Sequence, residues 1–123
     1  MLHAGLAFGA FHRWIYKPLK AGELRHPLQN KLTSLKAALA AAFVYHELKL
    51  ALADAQADPT LSKLVAPITA LQDRFKGLPD QVKSGTASPS SATDLDGAIS
   101  SIKNQASSAG QTITEQTPAT PSG

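Results

Sequence analysis

The chain has 123 residues, enough for one small domain, and a formal net charge of +3 at pH 7. It contains no cysteine, which excludes disulfides, thiol nucleophiles and thiolate metal sites. The aliphatic and aromatic residues Leu, Ile, Val and Phe number 28, against 21 alanines. Because alanine favours helices but buries little apolar area, we expect a thin helical core.

The first predicted element is a helix over residues 2–17. Pro18 ends it in this interpretation, because a proline disfavours helical geometry in the residue before it. The pair Gly5-x-x-x-Gly9 lies inside this helix, a spacing that lets two helices approach closely in lipid.

Four of the seven aromatic residues fall within positions 8–16, after an apolar run and among basic residues. Aromatic rings with polar tips, next to lysine and arginine, are typical of a segment at a lipid–water boundary. The sequence therefore predicts a membrane- or partner-binding site whose rings insert and whose cations meet phosphates. The predicted site residues are Phe8, Phe11, Trp14, Tyr16, Arg13, Lys17 and Lys20. The alternative is that the same rings pack on the protein's own helices.

The second predicted helix spans residues 27–57 and begins at Pro27, because proline suits the first helical position. Apolar residues recur in it at spacings of three and four. The main stripe contains Leu28, Leu32, Leu35, Leu39, Phe43, His46, Leu50 and Ala53, and an alanine-rich set widens it. A helix that is apolar on most of its circumference requires two neighbours.

A third helix is predicted over residues 59–76, with Gly77 and Pro79 as stop signals. Pro67 inside it predicts a kink or a helix in two pieces. The short connection at Asp58-Pro59 predicts an antiparallel hairpin of helices two and three.

The remaining chain is predicted to be loosely attached. Residues 84–93 are rich in Ser, Thr, Gly and Pro, which predicts a flexible linker. Residues 94–110 are predicted to form a thin, tethered fourth helix, and residues 111–123 a disordered tail. The predicted fold class is therefore all-α: a small helical bundle built on an antiparallel hairpin, with its helical domain in residues 1–83.

Charge is distributed unevenly along the chain. Residues 1–57 carry seven Lys/Arg against three acids, a net +4, whereas residues 84–123 carry one against three, a net −2. The basic part is also the aromatic part, which predicts an anionic partner near the N-terminus.

We find no catalytic, phosphate-binding or metal-binding motif, so the sequence predicts no enzyme, no cofactor and no metal site. The nearest fragment is His46-Glu47, which lacks a second histidine one turn later. His46 lies on the apolar stripe, where a core histidine is the expected interpretation.

The predicted function is non-catalytic association with an anionic membrane surface or a membrane protein through residues 2–20. The alternative is a helical interaction module or homo-oligomer, which covers its surplus apolar faces with another chain. The basic run also raises weak DNA binding, but a proline-broken connector without base-reading residues disfavours nucleic acid. No apolar stretch reaches the 18 or so residues that span a bilayer, and the predicted location is either membrane-associated or cytoplasmic.

Overall fold

A computed structural model describes residues 1–123, and every regular element in it is helical. The elements in chain order are α1 (Leu2–Ala10), a π-helical turn (Phe11–Ile15), α2 (Tyr16–Lys20), a 3-10 turn (Glu23–Arg25), α3 (Lys31–Ala57), a 3-10 segment (Pro59–Leu64), α4 (Val65–Ser84) and α5 (Pro89–Ser108). The predicted all-α class is confirmed.

The first helical run is longer than predicted, because α1, the π-helical turn and α2 follow one another without a break. Pro18 does not stop it. The proline falls in the first turn of α2, directly after the π-helical turn, where a missing N–H is tolerated. Leu19 is fully buried and anchors the additional turn.

Helices α3 and α4 form the predicted hairpin, with α3 also packed against α1. Only Asp58 separates the end of α3 from the next helical segment, and its Oδ1 accepts a hydrogen bond from the backbone N–H of Thr60 at 3.0 Å. Helix α3 begins at Lys31 rather than at Pro27, because residues 26–30 form turns closed by hydrogen bonds to the His26 carbonyl.

The third predicted helix is in two pieces, as Pro67 indicated, with the change from 3-10 to α geometry just before the proline. Its predicted end is wrong. Helix α4 continues through Pro79, because Leu78 and Val82 extend the buried stripe, and it ends at Gly85, whose φ of 74° is left-handed.

Helix α5 begins at Pro89, so the predicted linker over residues 84–93 is shorter than expected. The buried methyl group of Ala87 and the extended backbone of Ser88 lead directly into the helix. Helix α5 packs on both α2 and α4. Its inward residues are Ala92, Leu95, Ile99, Ile102 and Ala106.

The core side of α3 is the opposite of the one that hydrophobicity alone favours. The alanine-rich face is buried, with Ala37, Ala41, Val44 and Leu48 fully inaccessible. Small side chains let α1 and α4 approach the α3 backbone closely. The main stripe of leucines consequently points outward, together with His46, which is exposed rather than part of the core.

The sequence predicts a disordered tail over residues 111–123, and this prediction is wrong. These residues follow a defined path without regular secondary structure across α1, and we call them the C-terminal strap. The backbone N–H of Gln116 donates to the Gly5 carbonyl at 3.0 Å. Ile113 and Pro118 are buried. Disorder is predicted because the segment contains few large apolar residues. The two buried side chains and the hydrogen bond to Gly5 are nevertheless enough to hold it in place.

The glycine pair of α1 seats this strap. A Cβ at Gly5 would overlap the carbonyl oxygen of Thr114, and a Cβ at Gly9 would overlap that of Gln116. The pair therefore allows close approach of an extended backbone, not of a second helix as the spacing suggested.

Candidate functional site

The predicted site at the N-terminus divides into buried and exposed residues. Phe8 and Phe11 are fully inaccessible, and the Phe11 ring meets the Phe75 ring edge-on with centroids 5.8 Å apart. These two rings cannot reach lipid in this fold. The alanine-rich core needs large side chains, and this pair supplies them.

The remaining predicted residues lie at the surface. Trp14 and Tyr16 are half-buried, whereas Arg13, Lys17 and Lys20 are exposed. The Arg13 guanidinium lies over the Trp14 ring at 5.5 Å, and Lys20 Nζ donates to the Tyr16 hydroxyl at 3.2 Å. Each ring is thus paired with a cation at the protein surface.

A cleft of about 330 Å³ lies between this segment and α3. Arg13, Trp14 and Lys17 line it from one side, and Thr33 and Lys36 from α3. The cleft brings cations from two elements to one site, which the linear sequence did not reveal.

Glu23 also lines this cleft, but none of the cleft's cations forms an ion pair within 4.0 Å. All ion pairs shorter than 4.0 Å involve His3, His12 or Lys103. The unpaired cations of this part of the chain are Arg13, Lys17, Lys20, Arg25, Lys31 and Lys36. Unpaired surface cations generate a positive potential that attracts anionic partners.

Four exposed leucines lie beside these cations, and we call them the leucine ridge. They are Leu28, Leu32, Leu35 and Leu39, with exposed fractions of 83%, 65%, 55% and 43%. Leu32, Leu35 and Leu39 lie in α3 at spacings of three and four, along one line of the helix, and Leu28 precedes them in the turn before α3. Hydrophobic periodicity places them on the main apolar stripe of this helix but does not decide which of its apolar faces is buried.

Lys31 and Lys36 are neighbours of the ridge on α3, and Lys36 also lines the cleft with Trp14. We call residues 13–20, which contain Trp14, Tyr16 and their neighbouring cations, the aromatic–basic segment, and this segment adjoins the ridge through Lys36. Isolated exposed leucines are ordinary on a protein surface, whereas the ridge leucines form a contiguous exposed apolar line beside cations.

A second cluster joins three elements around His12. Its Nδ1 lies 2.5 Å from Glu115 of the C-terminal strap, and its Nε2 lies 2.6 Å from Asp96 of α5. Since carboxylates only accept hydrogen bonds, both ring nitrogens must donate, which only the imidazolium can do. Lys103 Nζ also donates to Glu115, at 2.6 Å.

The pKa values of this cluster follow from these contacts. Partial burial opposes protonation of His12, but the hydrogen bonds to Asp96 and Glu115 outweigh it and raise its pKa. Burial opposes ionisation of Glu115, but hydrogen bonds from Lys103 and His12 lower its pKa. The charged forms of both groups are thus favoured.

Neither the His12 cluster nor the other histidines form a metal centre: no group of three or more His, Asp and Glu side chains is placed to hold an ion. His3 is paired instead, through Nδ1, with the buried Glu47 at 2.6 Å. The largest cleft, about 540 Å³ between the 3-10 segment and α5, contains Lys63 as its one charged residue. It lacks an acid–base pair.

None of the helices combines the length and the apolar content that crossing a bilayer requires. In comparisons with known proteins, no family model, no curated protein and no solved structure matches this chain.

Proposed function

We propose that this protein associates, without catalysis, with an anionic membrane surface through the leucine ridge and the adjoining aromatic–basic segment. The observation that carries this proposal is the line of exposed leucines flanked by unpaired cations. A helix that lies flat on a membrane needs an apolar face toward the acyl chains and lysine or arginine side chains at the level of the lipid headgroups.

The apolar part of the surface differs from the sequence-based prediction. The ridge leucines replace Phe8 and Phe11, which belong to the core. Leu32, Leu35 and Leu39 extend over two turns of α3 and would enter the acyl boundary together.

The polar part consists of cations that have no carboxylate partner. Lys31 and Lys36 adjoin the ridge, and Arg13 and Lys17 lie at the neighbouring cleft. Each basic residue near an anionic bilayer contributes about 1 kcal/mol at the surface. Several of them give reversible, salt-sensitive attachment.

Trp14 is the chain's only tryptophan and lies half-buried at the edge of this surface, which makes it an internal probe. Indole rings favour the headgroup level of a membrane. We expect its emission to shift to shorter wavelength with vesicles of mixed phosphatidylserine and phosphatidylcholine, and not with phosphatidylcholine alone.

The decisive experiment is co-sedimentation of the full chain with these two vesicle types at low salt. Lys31→Gln with Lys36→Gln should weaken binding to anionic vesicles about thirtyfold, from the loss of two contributions near 1 kcal/mol each. The matched control is Lys63→Gln with Lys76→Gln, two exposed lysines away from the ridge, which should bind almost as the unaltered protein does. Negligible pelleting of the unaltered protein with both vesicle types contradicts the proposal.

A second candidate function is self-association of two chains through the same ridge. The spacing of Leu32, Leu35 and Leu39, continued by the exposed Ala42 and His46, follows a heptad pattern. Sedimentation velocity without lipid separates the candidates. A dimer that Leu35→Ser converts to a monomer favours self-association, and a monomer at all concentrations favours the membrane surface.

A further inference from the structure

The C-terminal strap lies in a groove that α1 keeps open by its two glycines. We propose that this groove is a binding site for an extended peptide, that residues 111–123 are its tethered ligand, and that it accepts the same segment from a second copy of the chain. This inference does not depend on membrane association.

The groove is built for a backbone and not for side chains. At Gly5 and Gly9 the carbonyl oxygens of Thr114 and Gln116 occupy the space that a Cβ would need. The Gly5 carbonyl also accepts the N–H of Gln116, although it lies within α1. A main-chain contact of this kind gives affinity to any extended segment.

Side chains on either side of the contact supply selectivity. Ile113 is 4% exposed and enters the core, and Pro118 is also buried. Between them, Glu115 accepts from His12 and Lys103, which come from two different elements. The recognised pattern is therefore an aliphatic residue, an acid two positions later and a proline three positions after that.

The join between α5 and the strap allows detachment. Gly110 has a left-handed φ of 81°, and no atom lies within 4 Å of the position its Cβ would take. Gly110 and Thr112 are exposed, and the start of the strap is tied to α5 by one backbone hydrogen bond, from the Gln111 N–H to the Ala106 carbonyl at 2.8 Å. A terminal segment that is attached at an exposed glycine and lacks helical hydrogen bonding opens locally more readily than a core helix.

The occupant from outside is the strap of a second copy, since that segment already carries every feature that the groove recognises. Exchange of an identical element between two chains leaves all groove contacts in place. The tether raises the effective concentration of the chain's own strap to roughly millimolar, so exchange in trans is weak until the tethered ligand is weakened.

The test is fluorescence anisotropy with a labelled synthetic peptide of residues 111–123 added to the full chain. Glu115→Gln in the protein weakens only the tethered strap, because the added peptide retains its glutamate. We expect peptide affinity to rise about tenfold in this variant, as loss of a charged hydrogen-bond partner implies. Asp94→Asn, which removes an exposed acid of α5 without partners, should leave the affinity unchanged.

Blocking the groove gives the opposite result. In the Glu115→Gln background, Gly9→Ala should abolish peptide binding, whereas Gly97→Ala, at an exposed helical glycine with open space, should not. A peptide carrying Ile113→Ser, which requires no refolding of the protein, should bind the Glu115→Gln chain at least tenfold more weakly. Equal peptide affinity in the unaltered chain, the Glu115→Gln chain and the Gly9→Ala chain overturns the proposal.

Discussion

His12 Nδ1 lies 2.5 Å from Glu115 Oε1, although the two residues are 103 positions apart in the chain. This contact joins the first helical run to the C-terminal strap. The Asp96 carboxylate on the other side of the ring joins both to α5.

The first prediction concerns the dependence of stability on pH. The two carboxylate partners of His12 raise its pKa above the ordinary value of 6.5. The stabilisation of the fold by charged His12 is therefore complete below pH 6.5 and is lost as the pH rises through the raised pKa. The pKa of Glu115 is lowered below its ordinary value of 4.5. The stabilisation of the fold by ionised Glu115 is therefore present above pH 4.5 and is lost as the pH falls through the lowered pKa. The cluster stabilises most between these two values.

Urea denaturation of the unaltered chain and of His12→Gln at several pH values checks this prediction. The difference in free energy of unfolding should be largest between pH 4.5 and 6.5 and smaller on both sides. The control is His46→Gln, an exposed histidine without an ion-pair partner. Parallel profiles for all three proteins contradict the role of the cluster.

The second prediction concerns seating of the C-terminal strap. Gly5→Ala places a methyl group where the Thr114 carbonyl lies, so the strap must move outward. Hydrogen exchange at the Gln116 amide should lose its protection, because that N–H donates to Gly5. Amides in α4 should keep theirs, and retained protection at Gln116 contradicts this account.

The third prediction separates the buried from the surface aromatics. Phe8→Ala should lower the free energy of unfolding by about 3–5 kcal/mol, since it removes a fully inaccessible ring. Trp14→Ala, at a half-buried position, should lower it by much less and should instead reduce vesicle binding. Chemical denaturation and co-sedimentation of both variants give the comparison; a small stability loss for Phe8→Ala contradicts the buried position.

The fourth prediction concerns the leucine ridge. Leu32→Ser with Leu35→Ser should change the free energy of unfolding by only about 0.5 kcal/mol per site, because both side chains are already exposed. The protein should become more soluble and lose its association with vesicles. Leu71→Ser, at 1% exposure, is the contrasting variant and should be strongly destabilised. Thermal melts by circular dichroism distinguish the two.

The hairpin and its two-piece second arm were predictable, because Asp58-Pro59 and Pro67 are local signals. The buried face of α3 was not, since leucines and alanines cover almost its whole circumference and hydrophobicity alone selects the larger side chains. Which face of α3 is buried depends on how closely the neighbouring helices can pack against it, and this is determined by the tertiary structure.

The candidate site was only partly predictable for a related reason. Arg13, Trp14 and Lys17 carry a recognisable local pattern, whereas their proximity to Lys36 depends on how the π-helical turn and α2 pack beside α3. The strap was missed because its composition is polar and its contacts are long-range. Gly5 and Gly9 were a usable signal, but their spacing fits a helix and an extended backbone equally well.

The ridge follows the axis of α3, so attachment through it would lay the molecule on its side. Helix α3 has 27 residues and is about 40 Å long, which makes its axis a long dimension of the molecule. Neutron reflectometry on a supported anionic bilayer would then record a protein layer thinner than about 40 Å, the length of α3. In that orientation the side of α3 that packs on α1 and α4 would point away from the bilayer.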